Sequence, residues 1–169
     1  MTRLNAWEHV RLRQWHFDKL WIIWGSFDMD LMASTASAQR PPTTSRQTSK
    51  TLFFYSRYHT DGTSGIDVLA QDVGKIPDSG KPCFDFCFPS PSMVGVHISH
   101  IQACCARAVI IVPDSKPPWF PVLRSALVRT KMVATKADPK VLFRIRHSRG
   151  TIPVVFQKWG MVVVEVDFS

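Results

Sequence analysis

The sequence predicts an α/β layered domain built on a mainly parallel sheet, with antiparallel strands at its C-terminal edge. Three observations carry this. Residues 108–112 (AVIIV) are a short, continuous, β-branched run closed by Pro113, the pattern of a central strand covered on both faces. Extended and helical patterns alternate on both sides of that run, which argues for strands joined by crossover helices. The chain has 169 residues, 45% of them apolar and 20% charged, enough for one domain with a sizeable core of ordinary composition.

Taken in order, residues 7–24 place Phe17, Leu20, Trp21 and Trp24 on one helical stripe, with Trp7 and Val10 at helical spacing before them. The spacing predicts one amphipathic helix, ended by Gly25, with its tryptophans in the core rather than forming a base-stacking platform. Residues 27–33 (FDMDLMA) predict a short strand. Residues 40–50 (RPPTTSRQTSK) hold no large apolar side chain, cannot offset their chain entropy by burial, and are expected to form a mobile loop. The aromatic run 52–58 returns to the body of the domain. Turn clusters at 61–65 and 77–82 flank the segment 66–70.

Residues 84–88 predict a strand, and 93–107 a helix with Val94, Ile98, Ile101 and Cys105 inward. A second helix is expected at 119–128, after the Pro117 and Pro118 pair. Short strands are expected at 141–145, 153–156 and 161–168, pairing antiparallel at an edge. The domain reading is an N-terminal helix over 1–25 followed by an α/β domain over 26–169.

The formal net charge is +8, and it is uneven. Arg124, Arg129, Lys131, Lys136, Lys140, Arg144, Arg146 and Arg149 share their segment with a single acid, Asp138. Such a field favours a polyanion, DNA or RNA. A solvated basic surface with no groove is the other reading. No stretch approaches the roughly 20 apolar residues of a membrane span. The N-terminus, with Arg3, Glu8, Arg11 and Arg13, lacks a signal-peptide pattern. Cys83, Cys87, Cys104 and Cys105 do not form a disulfide framework, so the expectation is a reduced, intracellular protein, nuclear or cytoplasmic.

Several short motifs follow one another in order: DLMASTASAQ at 30–39, FYSRY at 54–58, GIDVLAQD at 65–72, CFPSP at 87–91, AVIIVPD at 108–114 and WFP at 119–121. The series resembles a segment of tyrosine-recombinase (DIRS- and Ngaro-type) retrotransposon polyproteins. That segment in turn looks like the Dam-type adenine DNA methyltransferases of phage. The resemblance implies a Rossmann-like three-layer fold binding S-adenosylmethionine. It puts Asp30, Leu31, Met32, Ala33 and Ser34 in the loop cradling the methionine part of the cofactor, and Asp67 near the adenosine end. Phe88, Pro89, Ser90 and Pro91 take the positions of the catalytic Asn-Pro-Pro-aromatic loop.

At those positions the chemistry is incomplete. Methyl transfer to an exocyclic amine needs an amide or carboxylate acceptor at the first position and an aromatic ring at the fourth to stack the flipped base. Phe88 has no acceptor, Ser90 stands where a proline is usual, and Pro91 replaces the ring. Asp85 is the nearest carboxylate, three residues too early. Around residues 30–34 the glycine that admits a cofactor closely is also absent, with Ala33 and Ser34 as small substitutes and Asp30 open to a plain capping role.

Other constellations carry less. His97, His100 and Cys104 share a helix face, near Cys83 or Cys87, but lack a paired knuckle spacing, and no metal is expected. Ser90 and Ser92 lack a nucleophile elbow, and there is no phosphate-binding glycine loop. The sequence reading is therefore a retroelement-derived, inactive DNA adenine methyltransferase-like domain. Its cofactor is S-adenosylmethionine where the site is intact and none otherwise. Its partner is DNA, without a membrane. The alternatives are a basic nucleic-acid-binding module or a non-functional translated remnant.

Overall fold

The β-branched run does form a buried strand near the middle of the sheet, and the rest of the architecture arranges itself around it. The computed structural model of the chain describes residues 10–34, 37–42, 51–113, 120–134, 142–146, 150–153 and 161–169. In chain order they form β1 (Val10–Leu12), α1 (Gln14–Trp24), β2 (Met29–Asp30), β3 (Phe53–Ser56), β4 (Gly65–Ile66) and β5 (Phe84–Cys87). Then come α2 (Val94–Ala103), β6 (Arg107–Pro113), α3 (Phe120–Ser125), β7 (Leu127–Ala134), β8 (Leu142–Arg146), β9 (Gly150–Pro153) and β10 (Met161–Asp167). Single 3₁₀ turns lie at Val68–Ala70 and Pro91–Met93.

The main sheet has seven strands in the order β4-β3-β2-β5-β6-β10-β7. β4, β3, β2, β5 and β6 are mutually parallel. β10 runs antiparallel to both β6 and β7. The sheet is thus mixed α/β and mostly parallel, as the alternation predicted. One expectation about its C-terminal strands changes: β10 is interior, between β6 and β7, and not an edge strand. Its continuous run Val162, Val163 and Val164 suits that place, because both of its faces are covered. β8 and β9 do not join this sheet. They pair with β1 in a separate three-stranded sheet, order β1-β8-β9.

Two cores sandwich the main sheet, and the strands feed them alternately. On the α1 side lie Phe17, Leu20, Phe27, Phe86, Phe88, Val109, Ile111 and Val163. On the α2 side lie Met29, Leu31, Cys87, Val94, Ile98, Ile101, Ala108, Ile110, Val112 and Val164. Phe17 meets Phe86 edge-on, with ring centroids 5.1 Å apart, and Phe27 packs on both. Each such buried side chain contributes about 1.5–3 kcal/mol.

The predicted N-terminal helix starts later than its spacing suggests. Val10–Leu12 is a strand paired antiparallel with β8, and α1 begins only at Gln14. No side chain caps that helix start, whereas Val10 and Leu12 alternate in a way that suits a strand with a partner. Trp7 lies outside the described residues. Gly25 ends α1 as expected, with φ of 90°. Trp21 and Trp24 pack against the core, and Trp15 is exposed.

α2 ends at Ala103 instead of 107. Its C-terminus closes in a Schellman arrangement: Cys105 N–H donates to the Gln102 carbonyl and Ala106 N–H to the Ile101 carbonyl. Cys105 takes the left-handed position (φ 52°) and is exposed, not inward. α3 is likewise shorter than 119–128, because Leu127 already pairs with Val166 in the sheet. β8 and β9 fall at Leu142–Arg146 and Gly150–Pro153, shifted from 141–145 and 153–156. Residues 43–50, most of the segment expected to be a mobile loop, lie outside the described residues.

A buried carboxylate staples the helix to the sheet. Glu165 on β10 accepts from Trp24 Nε1–H at 2.9 Å and from Arg107 Nε–H at 2.9 Å. The Arg107 guanidinium also lies 4.2 Å over the Phe84 ring.

Candidate functional site

The site is built where the chain reverses direction across the sheet. From β2 the chain goes to β3 and β4 on one side, then returns to β5 and β6 on the other. The neighbours β2 and β5 therefore flank a topological switch point, and ligands of open α/β sheets bind beyond the carboxyl ends of strands at such a point. In register, Asp30, the last residue of β2, pairs with Phe86, and this is the last pair of the ladder between β2 and β5. Leu31 N–H continues to the Phe86 carbonyl at 2.8 Å, and Ala33 N–H reaches the Tyr55 carbonyl at 3.0 Å. Asp30, Leu31, Met32, Ala33 and Ser34 thus emerge between the ends of β3 and β5. Phe88, Pro89, Ser90 and Pro91 emerge beside them. The two stretches that the sequence singled out are neighbours in space.

Asp30 is buried and already occupied. Oδ1 accepts from Met32 N–H at 3.3 Å and Oδ2 from Gln39 N–H at 3.2 Å. Ser34 N–H donates to Ser37 Oγ at 2.8 Å, and Gln39 Nε2–H donates to the Leu12 carbonyl at 3.0 Å. The carboxylate therefore ties Met32 to Gln39. It caps a turn and not a helix.

Phe88 faces the α1-side core and is 6% exposed. Its side chain is packing, so this loop position offers neither an acceptor nor access. Pro89 is also buried, and Ser90 leads into the 3₁₀ turn at Pro91–Met93, which feeds α2. Ser90 Oγ and Ser92 Oγ lie 3.4 Å apart. Strand, proline-rich loop and helix follow one another as the sequence suggests.

Asp85 is fully buried at the other end of β5. Its Oδ2 accepts from Gly74 N–H at 2.8 Å and its Oδ1 from the Cys83 thiol at 3.0 Å. Burial is the main cause that raises its carboxyl to about 7. It anchors the hairpin at residues 74–83 and cannot substitute for the missing acceptor.

Asp67 directly follows β4, which lies two strands away from β2. It adopts φ of 59° and accepts from Leu69 N–H at 3.1 Å, capping the 3₁₀ turn there. His97 on α2 is 2% exposed, and burial, more than the neighbouring His100, lowers its imidazole to about 4. Its Nε2 has no hydrogen-bond partner among the described residues.

The histidine and cysteine face resolves into ordinary contacts. His100 Nε2 lies 2.7 Å from the Gln71 carbonyl, which fixes the proton on Nε2. Cys104 Sγ is 3.7 Å from that same nitrogen. Among the described residues, no group of three or more His, Cys, Asp or Glu side chains is placed to hold a metal ion.

The basic segment is only partly visible. Arg124 is exposed on α3. Arg129 and Lys131 fall in β7, and Arg144 and Arg146 in β8. Lys136, Lys140 and Arg149 lie outside the described residues. Among the described residues no helix is long and apolar enough to cross a membrane.

Sequence reasoning missed one group. Arg57, Tyr58 and His59 project from the carboxyl end of β3, beside the 30–34 loop, and all three are exposed. Arg57 and Tyr58 are the last two residues of the FYSRY run, just past the end of the strand. The chain matches no family model, and no curated protein resembles it at a significant level.

Proposed function

We propose that this chain is a methyltransferase-like α/β domain of the retrotransposon polyprotein kind, which binds S-adenosylmethionine at the switch point and transfers no methyl group. One observation carries the reading. Counted within the main sheet, strands β4-β3-β2-β5-β6 run third, second, first, fourth, fifth, which supports a Rossmann-like reading, with the 30–34 and 88–91 stretches side by side at the reversal. The fold-level analogy supports binding, and the residues themselves argue against catalysis. A target amine needs an acceptor to hold it during attack on the sulfonium, and Phe88 presents a buried ring instead.

The test is calorimetric titration of the purified chain with S-adenosylmethionine. Asp30→Ala is a poor control, since Asp30 holds its own loop together. Ala33→Trp blocks the loop while leaving the Asp30 contacts in place. Saturable heat lost in Ala33→Trp supports the reading, and a folded chain that gives no heat removes it.

A second reading has its own support. The run of basic residues from Arg124 onward, in a chain of net charge +8, suits a nucleic-acid-binding module acting on DNA. Its mark is an affinity for duplex DNA that falls linearly with the logarithm of salt concentration. A chain that binds neither cofactor nor DNA is the non-functional remnant. Four free thiols suit an intracellular, reducing compartment, nuclear or cytoplasmic.

A further inference from the structure

Resting on the switch-point reading above, we infer that His97 on α2 positions the adenine ring of S-adenosylmethionine, pairing its Nε2 with the polar edge of the base. His97 is 2% exposed, and its Nε2 is buried with no hydrogen-bond partner among the described residues. Buried polar atoms are paired in the great majority of cases, and an orphan one is costly to keep. A leucine at this position would carry no such cost.

The fold puts this nitrogen at the adenosine end. α2 follows the 88–91 stretch through the turn at Pro91–Met93, so its first turn stands near the carboxyl end of β5. His97 lies three residues after Val94 and four before Ile101, both buried in the α2-side core, so it shares their helix face. One turn further along, His100 Nε2 meets the Gln71 carbonyl at 2.7 Å, which lays the turn Val68–Ala70 alongside the helix. Asp67 opens that turn, and the resemblance places Asp67 near the adenosine end. The two sides face each other: burial most of all, then His100, keeps the His97 ring neutral down to about 4, and the Asp67 charge acts the other way.

The surroundings select a flat, uncharged group. Met32 from the 30–34 stretch and Leu69 from the turn are half-buried, and both pack on the core that holds Val68, Val94 and Ile98. A neutral imidazole offers an anion no charge. The ribose and the methionine carboxylate gain by staying near water, whereas the aromatic base gains by entering apolar packing. Met32, unbranched and polarisable, adapts to an aromatic ring. Adenine also carries an amine donor beside a ring-nitrogen acceptor, so its edge pairs with Nε2 in either tautomer of His97.

The experiment titrates the full chain by calorimetry with S-adenosylmethionine and with adenosine, in the parent, His97→Leu and His97→Gln. It also follows the His97 ring nitrogens of the parent by NMR. Both ligands are expected to bind about tenfold more weakly to His97→Leu. His97→Gln, whose amide both donates and accepts, is expected to recover most of that loss. The Nε2 signal of the parent is expected to move when adenosine is added, and this reading decides even where a variant fails to fold. Unchanged affinity for S-adenosylmethionine in a folded His97→Leu overturns the inference and leaves the switch-point reading standing. An Nε2 signal that saturating adenosine leaves in place does the same, because the nitrogen then meets only protein or water. S-adenosylmethionine binding without adenosine binding overturns it too, since the methionine part then holds the ligand. If neither ligand binds the folded parent, both readings fall.

Discussion

A Cβ added to Gly74 would lie 2.7 Å from the Ala106 Cβ and 3.1 Å from its Cα. The hairpin at residues 74–83 is thus pressed directly against the turn that leaves α2. Its two ends are joined by Cys83 N–H to the Gly74 carbonyl at 2.9 Å, and Gly74 N–H ties it to Asp85 on β5. Gly74 also has φ of 83°, where a side chain is strained even in open space. Gly74→Ala therefore combines left-handed strain with overpacking and is expected to cost about 3 kcal/mol in urea unfolding. A loss under about 0.5 kcal/mol would show that the hairpin moves away freely.

Cys105 gives the opposite case. It occupies the helix-ending position that favours glycine, with φ of 52°, and it is exposed. Ala106 and Ile101, which bracket the turn, are both buried in the α2-side core. Cys105→Gly relieves the strain without touching that core and is expected to stabilise by about 1 kcal/mol, raising Tm by about 3 °C. Cys105→Ala keeps the strain and is expected to leave Tm unchanged. Equal shifts in both variants would assign the effect to the thiol and not to the backbone.

Phe88→Asn restores an amide at the first position of the degenerate loop. Because residue 88 faces the core beside Val109, Ile111 and Met161, the amide enters apolar packing and not the loop mouth. The expected result is a loss of about 4 kcal/mol, with no transfer of labelled methyl from S-adenosylmethionine to DNA. Methylation by Phe88→Asn would mean that the residue 88 side chain reaches the reacting atoms.

What the sequence made legible, and what it hid, follows from the range of the interactions involved. β6 is readable because a continuous β-branched run closed by proline has few other uses. That residues 30–34 and 88–91 lie at the carboxyl ends of strands follows from the alternation, but their adjacency rests on the pairing of β2 with β5 across two intervening strands. β1 is not readable: Val10 fits a helical spacing locally, and its partner Arg144 is far along the chain. The early end of α2 depends on a cysteine adopting a backbone shape that glycine would have advertised. The interior place of β10 was signalled by its valine run, but the pairing that decides it lies in β6 and β7.

Asp85 and His97 pull stability in opposite directions with pH. Asp85 holds its proton in the fold up to about 7, against an ordinary 3.8, through burial and the nearby Asp28, partly offset by its bonds from Cys83 and Gly74. Between those values the native state keeps a proton that the unfolded chain has released, so stability falls as pH rises. His97 is held neutral down to about 4, against an ordinary 6.5, by burial and by His100, with Asp67 acting the other way. Between those values the unfolded chain takes up a proton that the native state refuses, so stability falls as pH drops. From pH 4 to 6.5 the two slopes, each at most about 1.4 kcal/mol per pH unit, nearly cancel in the parent chain. Asp85→Asn keeps an acceptor for Gly74 N–H and removes one slope, so its urea midpoint is expected to climb as pH rises across that window. His97→Leu removes the other, and its midpoint is expected to decline across the same window. Parallel midpoint curves for the parent and both variants would show that neither group is held out of water in the native state.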